Sequence, residues 1–502
     1  MYKKKLVIIF LFSFFSSYAQ TEFITLWKPN VNGPIDNAIS FGGTGTNYTI
    51  SWEEVGYPQH NGVFNSVTSN SNNPMTISFG TSLNTNPLQA TYKLKVSNGS
   101  GLFYGFRAGI TTIGTFPNFE LAEISQWGDI LWLQQFNGGF ASCLNLNVTA
   151  TDTPNLTQLN NLSQMFFNCP SLIGNNSFSN WNTSTITNMS GMFGGAKLFN
   201  QNIGMWNTAN VTNFSSMFSS ASAFNQNISS WNTASGINFS SMFADAVAFN
   251  QPLNSWNTSN ATNFRYVFSN AASFNQPLNN WDTGQVTDFE YMFENAVSFN
   301  QPIGNWDVSK VDYGFGFNMF NGASHFDQDI STWNIQLQNF TGNSIFFGLK
   351  NSGLSCTNYN NFLIALNNNP TWTGSTLTSG YIDAAGLIYS TPQAIMARAQ
   401  LVNRGFSISG DNYSTCVLST TESSKKLKNQ AYPNPTTGVI IIESEADESA
   451  YLYDSTGKII KTMILNKGKN TIDLAEYPSG IYLLSLKDTK GNAIRTLRIT
   501  KK

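Results

Sequence analysis

Charge is scarce in this chain of 502 residues. Asp, Glu, Lys and Arg together make up 11%, with a formal net charge of −2, against about 25% in an ordinary soluble domain. So flat a balance sets up no field to draw in nucleic acid or an anionic membrane, and neither is expected as a partner. Histidine is nearly missing. The two copies, His60 and His325, lie far apart in sequence, which leaves zinc hydrolysis and histidine acid–base chemistry almost without residues. G-x-S-x-G, H-E-x-x-H and phosphate-binding loops are absent,. Beyond the N-terminus no apolar run reaches the ~18–20 residues that span a bilayer. Cysteine is limited to Cys143, Cys169, Cys356 and Cys416, and none forms a C-x-x-C pair,. The expectation is a non-enzyme with no cofactor and with no catalytic, cofactor-binding or metal-ligating residue. Disorder is excluded too, since 41% of the residues are hydrophobic,.

What is present begins with MYKKKLVIIFLFSFFSSYAQ. Lys3–Lys5 form a basic segment, Leu6–Phe15 an apolar core, and Ser17-Tyr18-Ala19 a small-residue cleavage site before Gln20. Residues 1–19 therefore read as a signal peptide, cut between Ala19 and Gln20. Once it is removed no transmembrane segment is expected. An exported chain meets an oxidising compartment, where four cysteines allow three pairings.

The dominant signal is a repeat. Tryptophans recur at 181, 206, 231, 256, 281 and 306, then 333. Phenylalanines hold the same register at 193, 218, 243, 268 and 293, then 320, and a second set runs from Phe199 to Phe326. One copy is MFSSASAFNQNISSWNTASGINFSS, residues 217–241. Met217, Phe218 and Ala221 have helical spacing, whereas Phe224–Ile228 alternate as a strand does. The expected unit is a right-handed coil holding one short parallel strand and one short helix or 3₁₀ turn. Stacked coils make a solenoid, because no coil buries its apolar face alone. Phe140-x-x-Cys143 and Phe166-x-x-Cys169 place cysteine where later copies have alanine. Adjacent coils would bring these two close enough to bond, leaving Cys356 with Cys416.

These F-N-Q…W-N-T…M-F repeats resemble the BspA-like leucine-rich-repeat surface proteins, whose repeat is also catalogued as a domain of unknown function in mycoplasma lipoproteins. Aromatic residues and alanine replace most leucines here. The resemblance implies a repeat solenoid over residues 119–350 and a cell-surface role in adhesion or ligand binding. Residues 351–417, with helical stretches at Asn358–Leu366 and Thr391–Asn403, resemble the segment that closes such repeats.

The flanks differ. Residues 20–118 alternate as half-buried strands, in Tyr48–Trp52 and Thr91–Val96,. They resemble a PKD-type β-sandwich in which Trp52-Glu53-Glu54-Val55 stands in place of W-G-D-G. Residues 418–430 read as a linker. In 421–502 the balance turns basic, with 13 Lys or Arg against 9 Asp or Glu. Tyr432, Pro433, Asn434, Pro435 and Gly438, then Gly480 and Tyr482, match in order the type A C-terminal sorting domain of the type IX secretion system of Bacteroidota. That resemblance implies a small β-sandwich over 431–502, read by the secretion machinery, and delivery of the chain outside or onto the outer surface of a Gram-negative Bacteroidota cell.

Packing competes with chemistry at each striking position. One tryptophan per coil suits the core better than a sugar platform, and F-N-Q amides suit internal ladders. Eight acids, Asp282, Asp288, Glu290, Glu294, Asp307, Asp312, Asp327 and Asp329, suit a solvated face better than calcium. Asp327 and Asp329 merely share a strand face, giving a polysaccharide-active enzyme little support. Specificity is expected where copies differ: Asn202, Asn227, Pro252, Pro277, Pro302 and Asp329, and the pairs before tryptophan (Ser229-Ser230, Asn254-Ser255, Asn279-Asn280). The expected partner is an extracellular protein or glycan. The rival is a structural spacer or scaffold.

Overall fold

A computed structural model describes residues 21–31, 35–71, 73–108, 110–111, 114–115, 118–133, 138–311, 318–337, 345–372, 379–414, 416, 436–444, 446–454, 458–487 and 493–502. The proposed signal peptide, the linker and residues 432–435 of the sorting motif lie outside them. The chain divides into two units, Met1–Cys416 and Val417–Lys502.

The first unit opens with a seven-stranded sheet. Its order is Asn147–Val148, Leu121–Gln126, Phe23–Trp27, Tyr92–Ser97, Gly43–Glu54, Tyr57–Ser69, with Leu102–Phe106 also paired to Gly43–Glu54. Alternation decides the faces: Phe23 and Trp27, Tyr92, Leu94 and Val96, and Tyr48, Ile50 and Trp52 all point inward,. A second pair of strands, Ala38–Phe41 and Met75–Ser78, adds Ile39, Phe41 and Ile77 to that core.

The sheet does not stop at residue 118. Leu121–Gln126 pairs antiparallel with Phe23–Trp27 and, on its other edge, parallel with Asn147–Val148. Phe106 stacks on Phe140 at 5.4 Å, and one hydrophobic core runs unbroken from Phe23 to Phe406. The first repeat units thus take the N-terminal sheet as their cover. An exposed end of a stack would otherwise leave its apolar layer wet.

Successive 25-residue units are stacked in register. Phe218 rings lie 5.9 Å and 5.8 Å from Phe193 and Phe243, at 7° and 9°. Trp231 lies 6.5 Å from Trp206 and 6.3 Å from Trp256, at 2° and 4°. Within a unit, Phe218 stacks on Phe224 at 3.9 Å. Every one of these rings is buried.

The local structure departs from the expected strand, and the expected helix or 3₁₀ turn is met only by separate three-residue turn bonds. The Met-Phe segment is a chain of overlapping turns. Met217 N–H donates to the Phe214 carbonyl, Ser219 to Ser216 and Ala221 to Phe218. Ser216 and Ser220 have φ of 54° and 58°, a conformation no helix tolerates. The breaks release alternate N–H groups sideways: Phe214, Ser216, Phe218 and Ser220 donate to Asn238, Ser240, Met242 and Ala244 of the next unit, at 2.7–2.9 Å. A helix would have consumed those donors internally. The Phe-Asn-Gln segment is not a strand either. Asn250 N–H donates to the Asn225 side chain rather than to a carbonyl, and the next residue but one is Pro252, which has no N–H to give.

Beyond the repeats, parallel strands and α-helices take over. Ile345–Gly348, Gly380–Asp383 and Phe406–Ser409 form a parallel sheet, crossed by helices Cys356–Asn367 and Pro392–Asn403. Ser355 and Thr391 cap them by accepting from Asn358 and Ala394 N–H,. Arg398 grips Asp411 through two 2.7 Å bonds, and Tyr359 donates to the same carboxylate.

The second unit has a four-stranded antiparallel sheet in the order Ile459–Leu465, Glu448–Tyr453, Gly480–Lys487, Ala493–Lys501, and a strand pair Val439–Ser444 with Gly468–Asp473. Ile440, Ile472, Leu452, Leu484 and Ile499 share its core.

Candidate functional site

Each consensus residue of the repeat has a structural task, and together these tasks define which surface is left over. The Phe-Asn-Gln asparagines form a ladder: Asn225 Oδ1 accepts from Asn250 N–H at 3.0 Å and from Gln251 Nε2 at 2.9 Å. The same pair of bonds recurs from Asn200 through Asn300. From Trp206 to Trp333 the tryptophan Nε1 groups donate to carbonyls of the preceding unit, as Trp231 does to Ile203 at 3.0 Å. Threonines after Trp-Asn donate forward, as Thr233 Oγ1 does to the Asn257 carbonyl at 2.9 Å. These buried polar atoms are satisfied between units, Trp181 Nε1 excepted, so the stack is specified as well as stabilised.

The acids are drawn into the same scheme, and two of them, Asp288 and Glu290, are buried rather than set on the expected solvated face. Asp282, Asp307 and Asp329 accept from the N–H two residues on, replacing asparagine in the turn. Asp327 accepts from Ser355 N–H and Asn358 Nδ2, both at 2.7 Å. Asp288 and Glu290 face Arg265, at 3.9 Å and 2.5 Å. Burial lifts the Glu290 carboxyl above its ordinary range, while Arg265 acts against that shift. Asp312 lies outside the described residues. Among those residues no group of three or more His, Cys, Asp or Glu side chains is arranged for a metal ion.

The cysteines require a correction. Cys143 and Cys169 are free thiols, fully buried, while Cys356 is bonded to Cys416. Each thiol fills the alanine slot of its own unit. Cys169 Sγ is directed at the Phe140 carbonyl, 3.0 Å away, rather than at Cys143. Burial raises both, Cys169 to about 12. Neighbouring coils brought the residues near but did not aim one sulfur at the other.

The positions expected to hold specificity are outward-facing, yet several also serve the turns. Asn202, Asn227, Pro252, Pro277, Pro302 and Asp329 are exposed. Asn202 and Asn227 accept from N–H groups two residues on. Ser230 and Ser255 donate to carbonyls of the previous unit. Sequence reasoning missed Tyr266 and Tyr291, whose rings stack at 4.7 Å. Comparing the units column by column would have exposed them, because the preceding units carry Gln164, Gly191, Ser216 and Ser241 there.

In the second unit, Gly438 N–H donates to Thr436 Oγ1 and its carbonyl accepts from Leu474. Tyr482 is buried and its hydroxyl donates to the Pro478 carbonyl at 2.6 Å. A Cβ on Gly480 would meet nothing within 4 Å, so packing does not explain that glycine. The buried Lys501 ammonium donates to the carbonyls of Leu474, Ala475 and Tyr477, clamping the last strand.

Family comparison matches residues 430–500 to the model described as "Secretion system C-terminal sorting domain". The tail is a sorting domain. It marks the chain for type IX export to the cell surface and for contact with that machinery. Residues 134–256 and 237–354 match "Mycoplasma protein of unknown function, DUF285", so the stacked units are DUF285 repeats. No curated protein and no solved structure matches the chain. No helix among the described residues is long and apolar enough to cross a membrane.

Proposed function

We propose that this exported protein is a non-catalytic binding module of the cell surface, whose stacked repeats form a leucine-rich-repeat-like solenoid that engages an extracellular glycan or polypeptide. The observation that carries the reading is the division of labour within each unit. Phe, Trp, Ala and Ile are buried and the Asn, Gln and Thr side chains are bonded between units. Exposed residues at equal positions therefore line up along the stack, and a long partner meets many weak, uncharged contacts at once. The signal peptide, the N-terminal and C-terminal sandwiches and the Bacteroidota origin belong to the same reading. Adherence tests it. Cells lacking the protein should attach less to a glycan- or matrix-coated surface, and the soluble chain ending at Cys416 should compete with intact cells. A spacer that merely holds another domain away from the cell predicts no competition by that chain.

A further inference from the structure

The two coils that hold Arg265, Tyr266, Glu290 and Tyr291 break the repeat pattern together. In the column of Tyr266 and Tyr291 the preceding units place Gln164, Gly191, Ser216 and Ser241. All six residues have φ between 54° and 62°. A bulky side chain is disfavoured there and glycine is favoured. Neither tyrosine belongs to the buried core, so packing does not demand them. Strain kept at a surface position is a pointer to function.

The geometry supplies a shelf. The rings are nearly parallel, 4.7 Å apart at 8°. On its other side the column offers Tyr266 only Ser241, whose side chain ends in one hydroxyl. The Arg265 guanidinium lies 5.1 Å and 5.9 Å from the two ring centroids and is held at 2.5 Å by Glu290. Four residues further on, Asp245, Asn270 and Asn295 form an exposed row bonded at 2.9 Å. An aromatic face beside fixed polar groups suits a sugar ring, whose C–H face is apolar and whose rim is hydroxyl. Asp245, Asp288, Glu290 and Glu294 beside the single cation Arg265 give a formal local charge of −3, which disfavours an anionic sugar.

Resting on the binding role argued above, we propose that Tyr266 and Arg265 form a glycan subsite that takes a neutral pyranose ring, stacked on Tyr266 with its hydroxyls bonded to Arg265 and the Asp245 row. The test uses the secreted chain and neutral hexaoses of glucose, galactose and mannose, with a hexauronic acid for comparison, read by calorimetry. A neutral polysaccharide and a desialylated glycoprotein form separate arms that show which source presents the sugar. At least one neutral hexaose should bind, the uronic chain at least tenfold more weakly. Tyr266→Phe should stay within threefold, whereas Tyr266→Gly should lose tenfold or more while its melting temperature holds or rises, since Gly191 occupies the same column. A lower melting temperature for Tyr266→Gly would mark the ring as structural and overturn the subsite. Unchanged binding by that variant would also overturn it while leaving the binding role intact. No binding by any neutral probe would overturn it as well, and a ligand found for the chain among polypeptides would then preserve the wider reading.

Discussion

Asn250 shows how much one consensus side chain carries. Its Oδ1 receives Asn275 N–H and Gln276 Nε2, both at 3.0 Å. Asn250→Ala leaves two donors short of a partner, and thermal or urea unfolding should show a loss of about 1–3 kcal/mol. Asn→Ala at an outward position such as Asn202 loses one turn bond and should cost less. Glu120 makes a pH prediction. Burial, then the nearby Asp36 carboxylate, push its carboxyl up to about 7, against a bond from the Ser40 backbone. A folded value above the ordinary 4.5 means the folded state holds the proton more tightly,. Its stabilising effect is complete below about pH 4.5 and is lost as pH rises through 7. Glu120→Gln keeps the neutral form, so at pH 8 it should be more stable than the parent by on the order of 1–3 kcal/mol, with the gain vanishing near pH 4.

Among elements, the stacking of rings was legible because they recur every 25 residues, and the two helices after the repeats because their apolar spacing and Ser355 and Thr391 N-caps are local signals. The inside of the unit was not legible. Ser216 and Ser220 adopt positive φ with nothing in a serine to announce it, and the choice between a helix and sideways-bonded turns depends on a neighbour 24 residues away. The same distance effect hid the cysteine outcome: period gives proximity, but side-chain aim depends on the slot. Cys356 and Cys416 close a segment of 60 residues between the start of the helix Cys356–Asn367 and the end of the unit. Chain-entropy reasoning gives such a bridge about 4 kcal/mol. Peptide mapping should find this one disulfide and two free thiols, with Cys143 and Cys169 unreactive until the protein unfolds. Cys356→Ser should loosen this segment, seen as faster hydrogen exchange in the helices Cys356–Asn367 and Pro392–Asn403.

For the whole molecule, the family matches separate two jobs that the sequence had already set apart by composition. Residues 430–500 carry the export address, and they pack as a unit with a core of their own. Removing residues 431–502 should leave a folded chain held in the periplasm, scored by cell fractionation. Undiminished surface display of that truncation would contradict the sorting assignment. The boundary at residue 118 was misplaced because Leu121 and Ile124 alternate like any repeat residue, yet they complete the first sheet. For the same reason the repeats cannot simply be excised for study, and binding belongs to the whole unit ending at Cys416.

That binding is the central claim, and an array of extracellular glycans and matrix polypeptides probed with the secreted, tail-less protein tests it most directly. The account predicts at least one ligand class held above control, competed by soluble ligand, and lost when outward repeat positions such as Pro277, Pro302 and Tyr266 are replaced together without a fall in melting temperature. No ligand on the array, or binding untouched by those replacements, would contradict it.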